Sequence, residues 1–157
     1  MGRVIIIMGS KADLPWAEKI RTYLEQFEIP VKMRIASAHK VPLRCFEIIK
    51  EYDEEDVVFI TLAGRSNALS GFVDAQTHRP VIACPPYSDS FAGADIFSSL
   101  RMPSGVAPMV VLEPEAAALA AAKILALSDT GIQEKVMAYQ TAHRERIIRD
   151  DQELSDG

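Results

Sequence analysis

The chain is poor in cysteine and has no long apolar run. Cys45 and Cys84 are its two cysteines in 157 residues. Neither belongs to a CxxC pair, and no His/Cys cluster has zinc-ligand spacing, so the sequence offers neither a disulfide framework nor a metal site. Two buried, reduced thiols are expected; no secretory leader precedes them, which fits a cytoplasmic protein. The run Val4 to Met8 is too short for a signal sequence, and no run reaches the roughly 20 residues of a membrane span. Excess positive charge is also missing. A net charge of -5 argues against wholesale binding of nucleic acid or an anionic membrane, while leaving room for a local basic pocket. The familiar nucleotide signatures are absent: no GxGxxG follows the first strand, and no GxxxxGKS or GxxxxGKT occurs. Any phosphate must therefore be held by backbone N–H groups, hydroxyls and nearby cations.

What is present is a globular balance, with 48% hydrophobic and 25% charged residues. The length suits one domain, residues 1–157, that buries about 70% of the surface its unfolded chain exposes. Val4 to Met8 reads as a strand buried on both faces. Asp13 is a candidate N-cap and Pro15 suits the first turn of a helix whose stripe is Trp16, Ile20, Leu24 and Phe27. Val31, Met33 and Ile35 alternate as a second strand. Pro42 opens a helix to about Tyr52, with Leu43, Phe46 and Ile49 expected to face the core. Val57 to Leu62, Val81 to Cys84 and Met109 to Leu112 are further strands. Helices are expected over Ala68 to Thr77, Gly93 to Leu100, Pro114 to Leu127 and, last, about 132–151, followed by a frayed polar tail. The alanines after Pro114 suit either a strong helix alone or one packed closely at a subunit interface. Strict β-α alternation predicts an α/β fold, a parallel sheet covered by helices on both faces.

Three strands end in the same way, in a short loop of small and polar residues before a helix. The loops are GSKAD (Gly9 to Asp13), ASAHK (Ala36 to Lys40) and AGRSN (Ala63 to Asn67). In a parallel sheet such loops share one edge, where ligands bind. In the first, Gly9 permits close backbone approach, Ser10 brings a hydroxyl, and Asp13 is either a plain N-cap or an acceptor for ribose hydroxyls. Lys11 is either a phosphate cation or a solvated one. In the second, His39 has both protonation states accessible near neutral pH, as a general acid/base requires, and Lys40 suits a phosphate. In the third, Gly64 again allows close approach, Arg65 offers a planar fork for phosphate or carboxylate, and Ser66 and Asn67 add neutral donors. His78 and His143 fall in a turn and on a polar helix face, where surface roles are expected. The segment from Pro85 to Gly105 has the length of a site-completing loop, with Ser88, Asp89, Ser99, Arg101 and Ser104 as possible contacts.

In their order and spacing these loops, with SDSFAGAD and SSLRMPSG downstream, resemble the PurE family of purine biosynthesis over nearly the whole chain. The resemblance implies a flavodoxin-like three-layer α/β/α sandwich, a homo-octamer, and a substrate that is aminoimidazole ribonucleotide or a carboxylated form of it. It implies no ATP, biotin or other cofactor. One branch of the family carries GGAAH and is a mutase, moving a carboxyl group from the exocyclic nitrogen to ring carbon 4. The other carries SAHK and GRSN and adds free carbon dioxide to that carbon. This chain resembles the second branch, with Asn67 where the mutase has the histidine of GGAAH. The resemblance implies His39 as the proton carrier, Ser10, Asp13, Ser37 and Lys40 around the ribose phosphate, and Gly64, Arg65, Ser66 and Asn67 around phosphate and carboxylate. One departure is Ala12, where many members have a second serine; it removes one phosphate hydrogen bond, and Lys11 is the nearest replacement. The alternatives are the mutase activity and a non-catalytic phosphosugar-binding domain.

Overall fold

A computed structural model describes residues 2–156. Its strands are β1 (Arg3–Met8), β2 (Val31–Ile35), β3 (Val57–Leu62), β4 (Val81–Ala83) and β5 (Met109–Val110). Every pairing is parallel, in the order β2-β1-β3-β4-β5. The helices are α1 (Leu14–Glu25), α2 (Pro42–Tyr52), α3 (Leu69–Gln76), α4 (Phe97–Leu100), α5 (Pro114–Leu125) and α6 (Thr130–Ser155).

The continuous apolar strands are explained by two cores, one on each side of the sheet. Successive side chains of a strand point to opposite faces. Val4, Ile6 and Met8 of β1, with Val58, Ile60 and Leu62 of β3, meet Ala17, Ile20 and Leu24 of α1, the alanines of α5, and Ile132 and Val136 of α6. Ile5, Ile7, Val57, Phe59 and Val81 meet Cys45, Ile48, Ile49 and Tyr52 of α2 and Leu69 and Val73 of α3. This is the three-layer, flavodoxin-like α/β/α arrangement. Ala117, Ala118, Ala121 and Ala122 are all buried within the chain, so the small side chains of α5 serve its own packing against α1 and the sheet.

Several expectations are corrected. The core stripe of α2 is Cys45, Ile48, Ile49 and Tyr52, while Leu43 is 78% and Phe46 40% exposed. Two i, i+3 stripes run along this helix, sharing Ile49, and only the one aimed at β1 and β3 is covered. Ile35 is also half exposed, because β2 is an edge strand. The last helix does not fray near 151 but continues to Ser155, and it begins at Thr130 with Asp129 accepting from the Ile132 N–H at 3.1 Å. The helix expected from Gly93 to Leu100 is a 3-10 segment, Ser90–Ile96, followed by the single turn of α4. No helix among the described residues is long and apolar enough to cross a membrane.

Candidate active site

The strand order turns back at β1: the chain moves from β1 out to β2, then returns to β3 on the other side. The crevice beyond the carboxyl ends at such a switch point is where open α/β sheets bind ligands. Backbone bonds draw the three loops together there. The Gly9 N–H donates to the Leu62 carbonyl at 2.8 Å, and the Ala36 N–H donates to the Met8 carbonyl at 2.9 Å. The loops after β1, β2 and β3 therefore leave the sheet side by side.

Each loop is held by its own small polar groups. Ser10, not Asp13, caps the first turn: its hydroxyl accepts from the Ala12 N–H at 3.2 Å. Asp13 closes the box in return, accepting from the Ser10 N–H at 3.3 Å, and makes no cap bond to α1. Burial raises the Asp13 carboxyl above its ordinary 3.8, with the Ser10 N–H working the other way. In the second loop the Ser37 hydroxyl accepts from the Lys40 N–H at 3.2 Å, which shapes a tight turn and leaves His39 and Lys40 exposed at its tip. In the third loop a side chain on Gly64 would meet nothing within 4 Å, and one on Gly9 would meet only ordinary contacts beginning at 3.5 Å. Neither glycine relieves a clash within the protein. Both leave room at the strand ends.

Asn67 is placed differently from expectation. It is 5% exposed and turned inward. Its amide Nδ2 donates to Ser99 Oγ at 2.9 Å, and its Oδ1 accepts from the Ser70 N–H at 3.1 Å, capping α3. Its backbone N–H donates to Ser98 Oγ at 2.9 Å. Asn67 and Ser99 thus form a buried link between α3 and α4. Arg65 and Ser66 beside it are exposed.

Six cations elsewhere are paired locally, in Arg3–Glu55, Arg21–Glu18, Arg34–Glu51, Arg44–Glu47, Lys50–Asp53 and Lys135–Glu28. Among the described residues Lys11, Lys40 and Arg65 make no side-chain hydrogen bond or ion pair, and neither does the His39 ring. Three unpaired cations and an imidazole stand at the edge where the three loops meet. The two thiols are not reactive partners: burial pushes Cys45 and Cys84 each up to about 11, leaving them protonated and inert near neutral pH. Cys84 lies beneath the site, its carbonyl accepting from Trp16 Nε1 at 3.1 Å.

The segment after β4 closes one side. Ser88 accepts from the Ser90 N–H at 3.1 Å, and the chain then passes through a left-handed turn at Phe91, Ala92 and Gly93, with φ of 50°, 53° and 78°. Two non-glycine residues in that region cost about 1–2 kcal/mol each. Behind the turn lies a cavity of about 230 Å³ lined by Gly64, Pro85, Pro86, Tyr87, Ser88, Gly93, Asp95, Ile96 and Leu112. Of these, Tyr87, whose hydroxyl donates to Glu113, and Asp95 escaped the sequence reading. Asp95 carries only a weak sequence signal, a carboxylate beside a glycine, within the stretch where a helix is expected. His143 is not a plain surface group either. Its ring packs against Tyr139 at 4.5 Å in the groove between α5 and α6.

Comparison with known proteins agrees with this geometry. The family model described as AIR carboxylase matches residues 3–146. A protein of Archaeoglobus fulgidus named phosphoribosylaminoimidazole carboxylase is 64% identical over 152 residues, 97% of this chain and 84% of that one. A protein of Treponema denticola with the same name is 53% identical over 153 residues, covering 96% of each. The crystal structure of Treponema denticola PurE superposes with a TM-score of 0.95 at 51% identity, covering 98% of this chain and 99% of that one. The strand order, the three convergent loops and these matches lead to one conclusion: the chain belongs to the AIR carboxylase (PurE) family.

Proposed function

We propose that this protein is a phosphoribosylaminoimidazole carboxylase of purine biosynthesis, adding free carbon dioxide reversibly to carbon 4 of 5-aminoimidazole ribonucleotide. The observation that carries this reading is the match to relatives of that name over almost the full chain, at up to 64% identity. GRSN at Gly64 to Asn67 favours direct carboxylation over the mutase reaction. The buried Asn67 supports this too, since its side chain is committed to α3 and α4 and offers no imidazole to the ring.

The chemistry follows from the ring. Its amino group makes carbon 4 enamine-like, so that carbon attacks carbon dioxide without ATP or biotin once the two are held in line. The new carbon–carbon bond leaves a ring cation that still carries the carbon 4 hydrogen. Neutral His39 removes that proton and aromaticity returns; in reverse the imidazolium protonates carbon 4 before carbon dioxide leaves. Ser10, Asp13, Ser37 and Lys40 hold the ribose phosphate, with Gly64, Arg65 and Ser66 around phosphate and carboxylate. The exposed, unpaired side chains of Lys40 and Arg65 support these roles, and Ser10, Asp13 and Ser37 shape the loops that carry them. A homo-octamer, for which the uncovered Leu43 and Phe46 on α2 offer apolar surface, and a cytoplasmic location are both part of the reading.

The test is to offer the purified protein each substrate. Bicarbonate-dependent consumption of aminoimidazole ribonucleotide is expected. Conversion of the N-carboxylated substrate without free carbon dioxide would identify a mutase. Thermal stabilisation by the ribonucleotide with no turnover would identify a binding domain.

A further inference from the structure

The loop after β3 has little of its own to hold it. Among the described residues the N–H groups of Gly64, Arg65 and Ser66 donate no hydrogen bond, and the Arg65 side chain pairs with nothing. Its internal backbone bond runs from the Ala68 N–H to the Ser66 carbonyl at 2.9 Å. A segment with so few bonds opens readily, and groups that grip a ligand are only as well placed as the structure behind them.

What holds this loop comes from α4. The Asn67 N–H donates to Ser98 Oγ at 2.9 Å, and Ser98 Oγ donates to the Asp95 carbonyl at 2.8 Å. A hydroxyl has one proton to give, an N–H only donates, and a carbonyl only accepts. The Ser98 proton is therefore committed to Asp95, and a lone pair faces Asn67. Each bond polarises the next. The neighbouring Ser99 serves the Asn67 side chain instead, accepting from Nδ2 at 2.9 Å. The two serines divide one residue between them: Ser99 ties its side chain to α4, and Ser98 ties its backbone to the 3-10 segment Ser90–Ile96. Ser98 thereby joins two walls of the cavity beside the third loop, since Gly64 lines it from that loop and Asp95 from the 3-10 segment.

We propose that Ser98 is a positioning residue for substrate binding: through the Asn67 N–H its hydroxyl holds the third loop in the conformation from which Arg65 grips the anionic part of the substrate. The inference rests on the function proposed above, which gives Arg65 the phosphate or carboxylate. Ser98 itself touches no reacting atom. Arg65 lies two residues before the anchored N–H, and a planar fork meets a phosphate or carboxylate squarely only when its backbone is held; a shift of about 1 Å is costly at such a contact. The anchor is a backbone bond, so it survives replacement of the Asn67 side chain but not loss of the Ser98 hydroxyl.

Ser98→Ala and Ser98→Thr, alone and combined with Arg65→Ala, test this with aminoimidazole ribonucleotide and bicarbonate. Ser98→Ala should raise KM, and the calorimetric Kd for the ribonucleotide, about 3- to 10-fold, the worth of one neutral hydrogen bond, while kcat stays within about twofold. Ser98→Thr keeps the hydroxyl and should return both constants to near wild type. In an Arg65→Ala background Ser98→Ala should add less than about twofold, because the group it positions is gone. A lower melting temperature with unchanged Kd and KM would make the hydroxyl merely structural and overturn the proposal. So would full additivity of the two substitutions, a Ser98→Thr protein as weak as Ser98→Ala, or failure of both Ser98 variants to fold. A wild type that binds the ribonucleotide without consuming it would sink the carboxylase reading and leave the Kd series to judge Ser98. One that does not bind it would sink both.

Discussion

His39 is exposed at the tip of a turn that Ser37 shapes, and its ring has no partner within the described residues. A histidine that supports nothing in the fold can be replaced without loss of stability. His39→Asn should therefore keep its melting temperature and its affinity for the ribonucleotide, while kcat falls by about 10²–10⁴, the usual worth of a positioned acid/base. Near-normal turnover would remove the proton-carrying role. Asp13 makes a prediction of the opposite sign to most carboxylates. Burial raises it above 3.8, so between 3.8 and that higher value the folded chain binds more protons than the unfolded one. Its contribution to stability is then highest at low pH and declines as pH rises through that window. Denaturation of wild type and Asp13→Asn across acidic pH should show the wild type losing ground relative to the variant as pH increases. A relative gain would mean that the Ser10 N–H outweighs burial.

At the scale of elements, the third loop and its helices stand on Asn67. Replacing it with alanine removes the cap of α3 and leaves Ser99 without its donor. A cap and a buried hydrogen bond are each worth about 1 kcal/mol, so Asn67→Ala should destabilise the fold by about 1–3 kcal/mol in chemical denaturation. KM measured on the folded protein should change little. An unchanged stability with a raised KM would restore the role that the sequence suggested, a donor to the ligand. The reason the sequence did not reveal this placement is physical. An asparagine in a strand-to-helix loop serves equally as a cap or as a ligand group, and the choice depends on whether another element covers it. Here α4 does, from about 30 residues further along the chain. The same ignorance of neighbours explains Leu43 and Phe46, which share a stripe with Ile49 but face away from the sheet. It also explains Ser10 and Asp13, which exchanged capping roles within one turn. What was legible depended on local pattern alone. The strands buried on both faces and the β-α alternation required no knowledge of partners, and neither did the convergence of three loops.

Across the whole molecule, charge is arranged rather than merely summed. The net charge of -5 would repel a phosphorylated substrate at a distance, yet Lys11, Lys40 and Arg65 stand unpaired at the edge where the loops meet. Arg3, Arg21, Arg34, Arg44, Lys50 and Lys135 each have a carboxylate within 4 Å, so their fields are cancelled close to the surface. At this edge the attraction felt by an approaching dianion comes from the loop cluster, and its reach is limited by salt. The screening length shrinks from about 10 Å at 0.1 M to about 3 Å at 1 M. Raising ionic strength with an inert salt should accordingly increase KM for the ribonucleotide several-fold. It should leave kcat nearly constant, because in the proposed roles the cations grip the phosphate and not the reacting carbon. The dephosphorylated nucleoside is the control: its KM should be high and nearly indifferent to salt. If salt affects nucleoside and nucleotide alike, or lowers kcat instead, the cations are not the phosphate grip, and the acidic surface governs substrate approach without them.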